Sequence, residues 1–323
     1  MAKLTEATEI FVPKYLKLQE YLDKHERAHW GVWEIDVRKD IDQWRSGEIH
    51  EDVKAFIKMI LRFFTQADTN VCASYVERLL HVYKNADVRM MLLSFAARET
   101  THMKGYKFLN DSLGLDSEEF AREFLNFAEM KEKHDFMIEK VDIRSAKGRI
   151  EYLAKQILME GVNLFAPFAM LLNFSRIGKV PGTVDVNQWS QVDESLHVAG
   201  LCEVFLKDIE ENPHVVTEEF KRTIYQTARD TVRLEDACID LCFSVAKTIN
   251  LEETLKLTKS ELKQYIRFVA DYRMQQLGFK AQFGVTENPI KWIDDVTGNV
   301  FGDFFDTTIV EYSKDNLTGE WVY

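Results

Sequence analysis

Two Glu-x-x-His pairs, Glu99 with His102 and Glu194 with His197, carry the residue types and spacing with which one helix face can chelate a transition metal. Residues three apart on a helix differ by about 60° in direction and about 4.5 Å in height, so both side chains of each pair share a face. A single such pair is weak evidence, because a solvated acidic face or a hydrogen-bonded histidine is commoner. Here each pair has an acidic residue upstream at matched distance: Asp68 precedes Glu99 by 31 residues, and Glu160 precedes Glu194 by 34. Phe95, Ala96, Leu164, Phe165, Phe168 and Leu196 surround these charges with apolar side chains, which predicts a buried site. The expectation is six ligands, Asp68, Glu99, His102, Glu160, Glu194 and His197, for two metal ions. Carboxylates can bridge two cations and change their binding mode during oxidation, while imidazole suits iron and tolerates manganese. Without metal, carboxylates converging in a core would repel one another.

Such a site needs long helices to hold it. Only 5 prolines and 14 glycines punctuate 323 residues, apolar side chains recur at three-and-four spacing, and no alternating strand pattern stands out. The clearest helices are predicted at about 49–83, 87–113, 147–176, 187–210, 216–249 and 260–276. One carboxylate on each of two helices and an acid–histidine pair on each of two more is the arrangement of ferritin-like bundles, with Asp68 in place of one glutamate. The fold is therefore expected to be all-α, a ferritin-like helical bundle with additional helices. Pro167, in GVNLFAPFAM, predicts a kink in the Glu160 helix, since proline removes a backbone donor and crowds the preceding turn. After about residue 285 the helical period is lost, so residues 1–295 are expected to form one domain and 296–323 a flexible tail.

The motifs ARETTHMKGY, MEGVNLFAPFAM and QWSQVDESLHVAGL resemble those of the small subunit of class I ribonucleotide reductases, and the likeness runs from about residue 28 to the end. The resemblance implies a radical-generating subunit whose dimetal centre reacts with an oxygen-derived oxidant and stores an oxidising equivalent for nucleotide reduction elsewhere. Tyr106, four residues after His102, matches the family's radical tyrosine. Trp30 and Asp193 match the tryptophan and aspartate linking His102 toward the surface, although Val32 and Trp33 stand where the family has proline and glutamate, and Trp33 is a competing choice. Tyr312 matches the relay tyrosine of a C-terminal docking peptide, with Tyr323 as competitor. The implied cofactor is two ions per chain, iron first and manganese as the alternative. The implied partners are the large catalytic subunit, a second copy of this chain and, for a dimanganese centre, a flavoprotein activator.

Composition agrees with those partners. Lys plus Arg number 41 against 53 Asp plus Glu, so the chain lacks the cation excess that nucleic-acid binding requires. No stretch reads as a signal peptide or membrane span, which makes a cytoplasmic protein the expectation. Cys72, Cys202, Cys238 and Cys242 read as buried free thiols. His25, His29, His50, His81, His134 and His214 lack a matched acid and read as surface or locally hydrogen-bonded residues. The rival functions are a ferritin-like oxidase acting on its own bound substrate, and iron storage or a plain scaffold.

Overall fold

The computed structural model describes residues 3–139 and 141–297. The bundle is built from α1 (Leu16–Arg27), α2 (Arg38–Ser46), α3 (Glu51–Ser74), α4 (Ala86–Leu113), α5 (Ala128–Ile138), α6 (Ala146–Leu158), α7 (Phe165–Leu172), α8 (Pro181–Glu211), α9 (Glu218–Ser244) and α10 (Lys259–Gln276). No strand occurs among the described residues. The long helices fall where apolar periodicity places them, and the shorter α1, α2 and α5 are additions to the six predicted. Their starts follow local chemistry: Asn85, Ser145, Thr217 and Thr258 each accept a backbone N–H of the first turn of α4, α6, α9 and α10, satisfying donors a helix start leaves open.

Helix α3 lies along α4, α8 packs on α4, α6 and α7, and α1 spans α4 and α8 on the outside. The stretch Ala146–Ile177 is long and apolar enough to cross a membrane, yet its most apolar 18-residue window is wholly buried and serves as the central core strut. Its ladder is interrupted by a π turn at Met159–Asn163, just before α7. Pro167 sits in the first turn of α7, where a missing N–H costs little, so the break expected at Pro167 lies about two turns earlier, around Glu160. A second π turn, Tyr75–Leu79, extends α3. The arginine Nε of Arg273, on α10, donates to the Gly161 carbonyl at 3.2 Å, and a Cβ at Gly161 would sit 2.8 Å from that Nε. Only glycine admits the guanidinium to the opened backbone.

A short helix, Trp292–Thr297, closes the described chain and lies on α8, with the Gln188 amide donating to the Val296 carbonyl at 2.6 Å. Tyr312, Tyr323 and the predicted tail beyond Thr297 lie outside the described residues.

Candidate metal centre

Four elements deliver the six predicted ligands to one place. Helix α3 presents Asp68, α4 presents Glu99 and His102, the π turn presents Glu160, and α8 presents Glu194 and His197. Asp68 is 2 % exposed and the other five are 0 % exposed. They form two overlapping groups, Asp68–Glu99–His102–Glu194 and Glu99–Glu160–Glu194–His197, each offering ligand atoms within 4.8 Å of one another. Glu99 and Glu194 belong to both, so each can face two ions.

The unsatisfied atoms point the same way. Asp68 Oδ2, both oxygens of Glu99 and of Glu194, and Nδ1 of His102 and His197 are buried without hydrogen-bond partners. Leaving so many polar atoms unpaired is costly, so cations or protons must complete them. His102 Nδ1 lies 3.4 Å from Glu99 Oε2 and 3.3 Å from Glu194 Oε1, and His197 Nδ1 lies 3.1 Å from Glu99 Oε1 and 3.6 Å from Glu160 Oε2. Both imidazoles thus aim Nδ1 inward. Four carboxylates formally balance two divalent ions, and an oxygen-rich set with one imidazole per ion fits iron or manganese.

Without metal, protons must carry that balance. Burial lowers the proton affinity of His102 and His197, but the surrounding carboxylates outweigh it and raise both rings well above the ordinary histidine value. Burial also pushes Asp68 well up and Glu160 up to about 7. Burial pushes Glu99 upward too, yet the two imidazoliums beside it prevail and leave it lowered.

Outside the ligands, Asp193 gathers three donors on a fully buried carboxylate. Trp30 Nε1 donates to Oδ2 at 2.7 Å, His102 Nε2 lies 3.0 Å from the same oxygen, and Arg98 Nη1 donates to Oδ1 at 2.5 Å. Burial alone would raise Asp193; His102 and Arg98 reverse that and hold it at about 2. Trp30 stacks on His102 with centroids 6.0 Å apart and touches Trp189 at 5.3 Å. Trp33, the competing choice, is 81 % exposed. Gly105 makes room for Trp30, because a Cβ there would lie 3.1 Å from the indole Cη2.

Tyr106 is 1 % exposed, stacks on Phe64 at 4.6 Å and 4°, and directs its hydroxyl toward Asn187 Oδ1 at 3.5 Å. Burial and then the Asp68 charge raise its phenol well above the usual tyrosine value.

Sequence reasoning missed four neighbours of the site. Arg98 adjoins a ligand. Tyr75, seven residues after Asp68, donates to Glu160 Oε2 at 2.5 Å, and Gln156, four before Glu160, donates to Oε1. Helical spacing could have found both. The fourth corrects a reading: His25 is no surface residue but is 1 % exposed, with Nε2 3.1 Å from His197 Nε2 and Nδ1 2.9 Å from Ser94 Oγ. Its position was legible, because Leu18, Leu22 and His25 form the buried stripe of α1. His50 keeps the local role expected, accepting the Asp52 N–H at 3.1 Å. The cysteines are free, three buried and Cys72 half-buried.

A helical bundle enclosing two overlapping acid–histidine groups defines a ferritin-like fold with buried groups that could hold two metals. The family model described as "Ribonucleotide reductase, small chain" matches residues 7–289, and the chain belongs to that family. It is 36 % identical to the probable ribonucleoside-diphosphate reductase small subunit of Invertebrate iridescent virus 3, covering 93 % of this chain and 82 % of that one. It is 29 % identical to the ribonucleoside-diphosphate reductase subunit beta of Chlamydia pneumoniae, covering 88 % and 84 %. Its fold matches the ribonucleotide reductase R2 subunit from Clostridium botulinum with a TM-score of 0.80 at 17 % identity, covering 92 % and 94 %.

Proposed function

We propose that this chain is the radical-generating subunit of a class I ribonucleoside-diphosphate reductase. The observation that carries the reading is the pair of overlapping ligand groups joined through His102 and Asp193 to Trp30. Asp68 and His102 would hold one ion and Glu160 and His197 the other, with Glu99 and Glu194 within reach of both. Two bound iron or manganese ions supply the redox capacity that converts an oxygen-derived oxidant into a one-electron oxidising equivalent.

The chain's own residues store and move that equivalent. Tyr106, held as a neutral phenol by burial, would give its electron to the oxidised centre and its proton to a carboxylate of the site, Asp68 being the charge that acts on it most, while the Asn187 amide oxygen only accepts its hydrogen bond. Phe64 and the closed core keep water from the resulting radical. During turnover Asp193 accepts from both His102 and Trp30 on one oxygen, so a proton shift along that bridge can accompany electron flow toward the indole. Tyr312 relays the equivalent onward in a docking tail, and nucleotide reduction takes place on a separate large subunit. A cytoplasmic homodimer is part of this reading, as is a flavoprotein activator if the centre is dimanganese.

Complementation tests it. The metal-loaded chain should support ribonucleoside-diphosphate reduction only with a class I large subunit, and truncation before Val310 should abolish turnover while leaving metal content unchanged. Turnover by the chain alone, or full activity after truncation, would contradict the proposal.

A further inference from the structure

The two ligand histidines have different outer partners. His102 backs onto the anionic Asp193, whereas His197 backs onto another imidazole, His25, at 3.1 Å between Nε2 atoms. If His197 uses Nδ1 for metal, its proton must reside on Nε2 and point at His25. His25 Nε2 must then be the acceptor, since two N–H groups cannot face each other at that distance, and His25 carries its single proton on Nδ1 toward Ser94 Oγ at 2.9 Å. One choice of proton therefore fixes three side chains in sequence. The relay is rigidly seated: His25 packs edge-on to Phe95 at 4.9 Å, and Phe95 also contacts the His197 ring at 4.5 Å. Arg98 Nη2 donates to the His25 carbonyl at 3.0 Å and ties α1 to the same guanidinium that holds Asp193.

We infer that His25 is a positioning residue for the second metal, holding His197 in its Nδ1-ligating tautomer and orientation. The inference rests on the two-metal reading above. A neutral imidazole satisfies the His197 N–H without adding negative charge, so the two ions sit in electronically unequal surroundings. Among the described residues, the His197 side has no counterpart of the Asp193 carboxylate on its outer nitrogen. Outer partners of ligating histidines commonly govern metal affinity by 10- to 100-fold, so the effect should be measurable in binding alone.

The test is anaerobic Mn(II) titration of the full metal-free chain, followed by electron paramagnetic resonance, with His25→Ala, His25→Phe and His25→Gln compared. Phenylalanine keeps the packing, and glutamine restores an acceptor. Wild type should bind two ions as a coupled pair. In His25→Ala and His25→Phe one ion should weaken 10- to 100-fold and an uncoupled Mn(II) spectrum should appear, while His25→Gln recovers most of the pair signal. Unchanged affinity for both ions in the alanine and phenylalanine variants would overturn the role. So would failure of glutamine to restore binding while phenylalanine binds normally, which would mark His25 as packing only. If wild type itself fails to bind two ions, it is the two-metal reading that falls.

Discussion

Replacing Asp193 by asparagine should be among the most costly single-atom changes in this protein. Asp193 is fully buried and receives the Trp30 indole, the His102 ring and the Arg98 guanidinium. An amide offers one acceptor oxygen, so whichever way the substituted side chain turns, its NH2 faces a donor. If the oxygen stays with Trp30 and His102, Arg98 meets a donor and loses its counter-charge while 4 % exposed. Removing one member of a buried ion pair costs about 3–5 kcal/mol. Arg98 retains the Ala28 and His25 carbonyls at 2.9 and 3.0 Å, which places this case near the lower end, about 3 kcal/mol. That is roughly a hundredfold in the folding equilibrium. Urea unfolding of the metal-free chain measures it, and a double-mutant cycle with Arg98→Met isolates the pair, with an expected coupling of about 1.5–3 kcal/mol. Mn(II) affinity should fall in parallel by about 10- to 100-fold, because the acceptor behind His102 becomes a neutral amide and no longer raises the ring's basicity as a carboxylate does. A coupling below about 0.5 kcal/mol, or unchanged metal affinity, would refute the assignment of Asp193 as the shared keystone of Arg98, His102 and Trp30.

Two further outcomes follow from charge. In the metal-free state His102 and His197 are raised well above the ordinary histidine value, against the effect of burial, so they hold protons near neutral pH that metal must displace. Metal affinity should therefore rise with pH, about tenfold per unit for each proton released, and calorimetric heats should depend on the buffer's ionisation enthalpy; buffer-independent heats would exclude proton displacement. Elsewhere, Lys133 on α5 and Glu235 on α9 form a fully buried ion pair, with the Lys133 ammonium 3.9 Å from the Phe63 ring centroid. Burial pushes Glu235 up to about 8, so above that pH Glu235→Gln should destabilise the chain by about 3–5 kcal/mol and below it by less, and Lys133→Met with Glu235→Leu should recover most of the loss. Urea midpoints decide this, and equal losses in single and double variants would show that packing, not charge, dominates.

The convergence of the six candidate ligands was legible because helices convert sequence spacing into direction: each Glu-x-x-His pair encodes its own geometry, whatever the rest of the fold does. Asp193 came from the family resemblance and not from spacing, since a residue next to a ligand on α8 points about 100° away from the ligand face. The π turn around Glu160 was not legible, since a one-residue insertion in the backbone ladder leaves only Pro167 and Gly161 as traces of its place. His25 was misread because DKHERAH is charged on both sides, and its partner His197 is 172 residues away. Its alignment with Leu18 and Leu22 was the available signal, and it outweighs local charge, because one helix face can be buried while its flanks stay wet. Arg98, a charged residue inside the core, is explained only once Asp193 and the α1 carbonyls converge on it.

The central claim is that six buried ligands load two metals and deliver an oxidising equivalent to Tyr106. Metal analysis with electron paramagnetic resonance on the matured, oxidised protein tests it directly, in wild type and in Tyr106→Phe. Two iron or manganese ions per chain in both proteins, with a tyrosyl-radical signal in wild type that vanishes in the variant, is the predicted result. An undiminished radical signal in Tyr106→Phe, or fewer than two ions in wild type, would contradict the account.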